Sequence, residues 1–407
     1  MLPASPERSL RRLPAGTGER VLDLLEPLRG ALSGAGPALW PQPPGSGPAA
    51  DLPLRPQDDD TADPTAVCIT TSGSTGDAKS VLVPAGALLA SAAATHDRLG
   101  GAGQWLLAVP AHHIAGLQVL VRSLVAGTRP VVIGPGPFTP AAFVAAAARM
   151  PAARTRYTSL VPTQLVRLLS DAEAIAALRT FRAVLAGGAG TPPAVLATAR
   201  DAGIAVVTTY GMTETCGGCV YDQRPLDGAL VRLDGGRVLL GGPMLARGYL
   251  DDAALTASAF VEADGRRWFR TDDAGQFAFG RLAVLGRLDD MIVTGGENVA
   301  PAPIESLLHE WPQIRDACVV GVPDPQWGQR VAAALVLTSG LTAPPLADVR
   351  TRIRAALGPA SAPQQFTVLP ELPLRGPGKP DRTAIAAVLA KDPAWTGSDP
   401  RPDRERA

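Results

Sequence analysis

Lysine is almost absent from this chain. Of the 38 basic side chains among 407 residues, only Lys79, Lys379 and Lys391 are lysine, and the rest are arginine. Such a bias reads as codon composition. The surviving lysines then draw attention, because a compact ammonium offers what an arginine fork cannot. Cysteine is scarce as well. Cys68, Cys216, Cys219 and Cys318 are too few to staple a chain of this length, and they suit a reducing, cytoplasmic compartment. Cys216-x-x-Cys219 has no second CxxC or CxxH pair to complete a zinc site, so the two read as incidental small residues. No apolar run reaches the ~18 residues of a membrane-spanning helix, so no integral membrane segment is expected. Arg11-Arg12 is followed by Glu19, Arg20, Asp23, Glu26 and Arg29, which leaves no apolar stretch for a signal peptide; 21–32 reads instead as an amphipathic helix. Net charge is missing too. Basic and acidic residues number 38 each, which excludes a polybasic nucleic-acid binder.

Apolar residues make up 46% of the chain, enough for a core, and at about 150 residues per domain the length suggests two or three domains. Residues 34–66, rich in Pro, Gly and Asp, read as a long irregular connection. Short apolar runs at 66–70, 105–109, 130–133, 183–185 and 204–208 then read as buried strands. They alternate with alanine-rich helical stretches at 85–99, 140–149, 162–178 and 192–202. The rhythm predicts an α/β fold with a parallel-type sheet covered by helices. From about 226 to 287, Gly-rich turns separate short strands, which predicts a β-rich subdomain. After 291 the pattern is that of a small α+β domain: helices at 303–310, 346–357 and 381–391, strands at 316–322, 331–338 and 365–369. The polar tail 394–407 reads as disordered.

Four segments carry chemistry. The first, TSGSTGDAKS, follows a predicted strand. Gly73 and Gly76 let backbone amides turn inward, Ser72, Ser74 and Thr75 add hydroxyls, and Lys79 adds charge, so the loop can cradle a polyphosphate. It nearly fits the P-loop pattern, but Ala78 stands where that pattern needs glycine; a P-loop phosphotransferase is the alternative from a different class. The second, TTYGMTET, begins at the end of the strand 204–208, on the edge where open α/β sheets bind ligands. There Tyr210 suits a planar base, Thr213 a phosphate, and Glu214 a magnesium ion, although such an acid is more often a solvated loop residue. The third pairs RTDDAG with GRLDD: a carboxylate accepts both hydroxyls of a ribose, and an arginine nearby bonds the same sugar. The fourth, LRGPGKPDR, sets Lys379 on a glycine-flanked loop of the small domain.

All four, in this order, resemble the adenylate-forming superfamily of acyl-CoA synthetases, peptide adenylation domains and luciferases. TSGSTGDAK is similar to its phosphate loop, YGMTE to its adenine and magnesium segment, and RTDDAG to its ribose segment, with Asp272 in place of the usual glycine and Asp273 in the ribose role. GRLDDMIVTGGENVAPAPIE resembles its hinge and LRGPGKPDR its catalytic-lysine segment. PAHHIAGLQ resembles the acyl site of aryl-CoA ligases, and HIAGLQVLVRSLVAG that of the o-succinylbenzoate–CoA ligases in their short form; other aryl or fatty acids are the alternatives.

The resemblance implies a large N-terminal domain over 1–287, a hinge at 288–290 around Asp289, and a small mobile domain over 291–393. It implies ATP, Mg²⁺ and coenzyme A as cofactor and co-substrates, and an aryl carboxylate as the small-molecule partner; a homodimer is compatible with it. Lys379, Glu214 and His113 take the catalytic roles, with Glu214 and Thr75 at the metal. Ser72, Gly73, Ser74, Thr75, Gly76 and Lys79 hold the phosphates. Gly187, Gly188, Tyr210, Gly211 and Thr213 line the nucleotide slot, Asp273 and Arg287 hold the ribose, and Gly295 and Gly296 flank the pantetheine path. His113, Arg122 and Tyr157 face the acyl group.

Overall fold

The computed structural model describes residues 8–72, 78–374 and 380–391. These form a mixed α/β structure in two units, one comprising Met1–Thr191, Val195–Thr271 and Phe277–Leu282, the other Pro192–Ala194, Asp272–Gln276 and Ala283–Ala407.

The first unit is organised by a seven-stranded sheet. Its order is Arg224–Pro225, Gly217–Tyr221, Val206–Met212, Ala183–Ala186, Arg156–Leu160, Gln104–Leu107 and Val131–Val132. The five strands from Val206–Met212 to Val131–Val132 run parallel. A parallel sheet is buried on both faces, and side chains alternate between two cores. Trp105, Leu107, Tyr157, Ala183 and Leu185 enter one core; Leu106, Leu160, Val184 and Ala186 enter the other. Helices Ala85–Leu99 and Ile114–Val125 fill the first face, and Pro140–Ala148, Pro162–Leu169, Ala172–Leu178 and Pro193–Asp201 the second. The first core is shared with a six-stranded mixed sheet, ordered Gly248–Tyr249, Ala78–Pro84, Thr65–Ser72, Ala38–Gln42, Ser9–Pro14 and Ala50–Pro53. A third, antiparallel sheet holds Leu230–Asp234, Arg237–Gly241, Arg266–Ala278 and Phe260–Ala263.

Several local expectations change. Residues 34–66 are not an irregular connection, since Ala38–Gln42 and Ala50–Pro53 are strands. The apolar run there is only three residues long between polar and proline neighbours. What makes it a strand is its pairing with Ser9–Pro14 and the bond from Trp40 Nε1 to Thr70 Oγ1 at 2.9 Å. The helix expected over 21–32 begins as a 3₁₀ turn, Gly18–Leu24, and becomes α-helical over Leu25–Leu32. The helix expected over 162–178 is two. Asp171 caps the second by accepting from Ala174 N at 2.8 Å, which offers the backbone a fresh start.

In the second unit, the strands run Glu297–Val299, Ile292–Thr294, Gly328–Leu337 and Ile314–Asp324, with Gln365–Val368 parallel to Gly328–Leu337. Helices Pro301–Leu308 and Leu346–Leu357 pack on one face, around Ile304, Leu308, Val349 and Ile353, and Arg382–Ala390 on the other, through Ile385 and Leu389.

The far core of the parallel sheet is closed by an aromatic cluster in which Phe143 has no exposed surface and meets Phe181 at 5.7 Å between ring centroids. Phe143→Ala should cost roughly 3–5 kcal/mol, read as a lowered denaturant midpoint with an unchanged slope.

Candidate active site

Strands Thr65–Ser72 and Ala78–Pro84 are antiparallel neighbours, with Thr71 opposite Lys79. They frame the phosphate-type loop. Gly73, Ser74, Thr75 and Gly76 lie outside the described residues, as does the Ser72 side chain. Lys79 is the second residue of a strand, and its Nζ stands 5.9 Å from the ring centre of Tyr249. This geometry removes the P-loop alternative, in which the lysine opens a helix rather than an antiparallel strand.

The strand expected to end at 208 continues to Met212, so Tyr210 and Gly211 are strand residues. Gly211 is required there: a Cβ would lie 2.1 Å from Gly217 O on the neighbouring strand. In the adjacent parallel strand Ala186 pairs with Thr208, and Gly187 follows it. A Cβ on Gly187 would meet Thr209 Oγ1 at 2.1 Å. Gly187, Gly188 and Tyr210 are thus brought together at the carboxyl ends of neighbouring parallel strands, where open sheets take ligands.

Beyond Met212 the chain makes a single 3₁₀ turn, Thr213–Thr215, pinned by Thr215, whose hydroxyl accepts from Met212 N at 3.0 Å and donates to Gly217 O at 2.8 Å. Glu214 on this turn is not a solvated loop acid. It is 9% exposed, and its Oε1 accepts a hydrogen bond from the Tyr249 hydroxyl at 2.8 Å. Cys216 and Cys219 follow it as buried free thiols; burial pushes Cys219 up to about 12.

Helix Ile114–Val125 begins at His113, an exposed N-cap whose carbonyl accepts from Leu117 N at 3.0 Å. The chain turns sharply before it, and a Cβ on Gly116 would lie 2.2 Å from Pro110 O. Gln118 ties the helix to the acid's segment through Nε2, which donates to Cys216 O at 2.8 Å. The His112 and His113 rings are 4.2 Å apart. His112 Nδ1 is buried without a hydrogen-bond partner; burial first, and the neighbouring His113 second, push His112 down to about 4.

Two expected acyl-site residues fare differently. Tyr157 points into the core, with its hydroxyl donating to Gly101 O at 3.0 Å and Leu99 O at 3.3 Å, so it is a structural residue. Its position in a strand fixed which face it took, and the strand's polar Arg156, Thr158 and Ser159 hid that strand from the sequence reading. Arg122 is buried. Its side chain is 3% exposed, with the guanidinium 5.0 Å from the Trp105 ring centre and one nitrogen donating to Tyr221 Oη at 3.3 Å, while Nε has no partner.

In the second unit, Arg287 grips both carboxylate oxygens of Asp289, at 2.7 and 2.9 Å, and reaches Asp272 at 3.3 Å. The hydrogen bonds from Arg287 hold Asp289 below the ordinary carboxylate value. Asp273 is partly buried on the same segment, and Leu288 N donates to Asp272 O at 2.7 Å. Asp290 pairs with Arg382 at 3.1 Å, and Arg382 in turn pairs with Glu305 at 2.7 Å. Gly295 and Gly296, both at positive φ, turn the hairpin Ile292–Thr294/Glu297–Val299, and Gly295 sits against Trp327, where a Cβ would be 2.8 Å away. Lys379 lies outside the described residues. Leu374 and Pro380, described residues on either side of it in sequence, form an antiparallel bridge.

The donors fit magnesium. Glu214 offers a hard carboxylate oxygen beside the Tyr249 hydroxyl, and among the described residues no three His, Cys, Asp or Glu side chains are grouped to hold a metal unaided. An ion that prefers one or two carboxylates plus phosphates suits such a site. Two residues the sequence reading left without a role belong here: His112, hidden beside His113, and Tyr249, whose signal was its rarity as one of four tyrosines in the chain.

The family described as AMP-binding enzyme matches residues 25–234, and the AMP-binding enzyme C-terminal domain matches 303–379. A probable 2-succinylbenzoate–CoA ligase of Mycobacterium tuberculosis is 44% identical over 386 residues, covering 94% of this chain and 99% of that one. Among solved structures, the o-succinylbenzoate CoA synthetase of Bacillus subtilis with its acyl-adenylate intermediate superposes with a TM-score of 0.68 at 29% identity, over 79% of this chain and 69% of the other. The same synthetase with ATP and a magnesium ion gives 0.67 at 30% identity, over 79% and 70%.

His112 predicts a pH signature. The unfolded chain takes up a proton there near pH 6.5, the folded one only near 4. The stability from this site is therefore full above pH 6.5 and lost as pH falls towards 4. Imidazole NMR should find one histidine titrating near pH 4, and His112→Asn should flatten the stability profile between pH 4 and 6.5.

Proposed function

The chain belongs to the AMP-binding enzyme family, and from that premise we propose that it is an ATP-dependent 2-succinylbenzoate–CoA ligase. A carboxylate oxygen of the acid attacks the α-phosphate of ATP, giving acyl-adenylate and pyrophosphate. The thiol of coenzyme A then attacks the acyl carbon and releases AMP. What carries the reading is the near full-length match to the mycobacterial ligase of that name. In that role the enzyme serves menaquinone biosynthesis, and it works in the cytoplasm, where ATP and coenzyme A are supplied; assembly as a homodimer is part of the same proposal.

The first half-reaction brings two anions together, so the chain's task is to hold charge where it develops. Ser72, Gly73, Ser74, Thr75, Gly76 and Lys79 orient the leaving pyrophosphate. Gly187, Gly188, Tyr210 and Gly211 form a slot in which a planar base lies against bare backbone. Thr213 donates to a phosphate, and Asp273 with Arg287 holds the ribose. Glu214 and Thr75 hold Mg²⁺, which when bound offsets phosphate charge. Lys379 bridges the attacking carboxylate and the α-phosphate. The small domain then turns about Asp289, withdrawing Lys379 and opening a thiol path beside Gly295 and Gly296. His113 borders the acyl group.

Arg122 suits the acid's second carboxylate. A guanidinium shut away from water, with a hydroxyl and an indole face as neighbours and Nε unpaired, is electrostatically incomplete.

Purified protein with Mg-ATP, coenzyme A and a panel of carboxylic acids should yield AMP and a thioester with 2-succinylbenzoate. AMP with other acids alone would discard that substrate and keep the ligase. Lys379→Ala should slow adenylation by about 10²-fold or more while preformed acyl-adenylate still reacts with coenzyme A; equal loss of both steps would refute that role. Arg122→Met should raise KM for 2-succinylbenzoate about ten-fold or more and leave KM for ATP in place.

A further inference from the structure

Tyr249 lies outside every segment that carried the functional reading, yet it is where two of them meet. Its hydroxyl donates to Glu214 Oε1 at 2.8 Å, and its ring stands 5.9 Å from Lys79 Nζ. Both partners of the hydrogen bond are shielded from water, Tyr249 at 5% exposure and Glu214 at 9%.

Independent constraints fix the phenol. Strand Gly248–Tyr249 pairs with Ala78–Pro84 and sets Tyr249 opposite Val81, two positions from Lys79 and therefore on its face of the sheet. Tyr249 N donates to Thr256 Oγ1 at 2.9 Å, and the ring packs on Phe260 at 6.0 Å. Ala246 N donates to Glu214 O at 2.8 Å, which ties the tyrosine's segment to the acid's turn. A buried tyrosine needs some acceptor, and a backbone carbonyl would serve, as it does for Tyr157. Tyr249 instead spends its proton on the carboxylate of the turn that follows the nucleotide strand, where a hydrogen bond to an ionised acceptor is about twice as strong as one to a neutral one.

We propose that Tyr249 is a positioning residue for the metal-binding acid: its hydroxyl holds the Glu214 carboxylate in one orientation before magnesium and the phosphates arrive. The inference rests on the assignment of Glu214 to magnesium made above. In this role Tyr249 acts through Glu214 and not on the reacting atoms. Its effect is on how much Mg²⁺ improves nucleotide binding.

The test compares the dissociation constant of ATP in EDTA with that in excess Mg²⁺, by calorimetry without acid or coenzyme A so that no turnover occurs. In Tyr249→Phe the ratio of the two should fall about ten-fold relative to the unsubstituted protein. In Glu214→Gln it should fall at least as far, and Tyr249→Phe added to Glu214→Gln should bring no further fall, since residues acting through one group are not additive. Thr256→Val, which loosens the tyrosine from its other side and keeps the phenol, should lower the ratio by a smaller factor and stands in if Tyr249→Phe does not fold. Phe143→Leu in the far core supplies a matched loss of thermal stability and should leave the ratio unchanged. An unchanged ratio in both Tyr249→Phe and Thr256→Val, with a fall in Glu214→Gln, overturns the inference and leaves the function standing. A fall in Phe143→Leu as large as in Tyr249→Phe overturns it as a mere stability effect. An unchanged ratio in Glu214→Gln overturns the magnesium assignment instead.

Discussion

A parallel sheet cannot leave either face in water, and this constraint shapes the larger unit. The central strands alternate between two cores, one shared with the six-stranded sheet and one built around Phe143. With both faces sealed by helices, only the strand ends are open to small molecules. Gly187, Gly188 and Tyr210 stand at such ends, and the turn carrying Glu214 begins where the strand Val206–Met212 stops. The glycines are there because the strand tips crowd one another, with no room for a Cβ between Gly187 and Thr209 or between Gly211 and Gly217.

Charge is managed differently in the two units. In the larger one, two charged groups sit largely out of water: Glu214 accepts a hydrogen bond from a phenol, and Arg122 lies beside a phenol and an indole. In the smaller unit, charges are already matched. Arg287 holds Asp289 with two bonds, and Asp290, Arg382 and Glu305 form a chain of ion pairs. Matched ions fix geometry within that unit.

Elements whose apolar period is long were legible from sequence: the helices expected at 85–99 and 346–357 are Ala85–Leu99 and Leu346–Leu357. Strands made by partners rather than by pattern were not. Ser9–Pro14 and Ala38–Gln42 exist because they pair with each other, and Ala78–Pro84 because it returns along Thr65–Ser72. The candidate site follows the same division. Glu214 and Tyr210 drew attention because they share one short segment. Tyr249 did not, because it reaches Lys79 through a strand pairing across more than half of the larger unit's sequence and Glu214 through a side-chain hydrogen bond that no local pattern announces. Tyr157 lies in a strand the sequence pattern did not show, and so nothing signalled that its side chain enters the core.

All four cysteines are buried free thiols, and burial raises the pKa of each. Thiolate, not thiol, is the nucleophile. An enzyme that generates an activated acyl group and then a thioester is exposed to self-modification, because any accessible thiolate of its own would compete for the acyl carbon. Here the protein has none to offer: coenzyme A meets no intramolecular rival, and chemoselectivity for the departing thioester is written into where the sulfurs are kept.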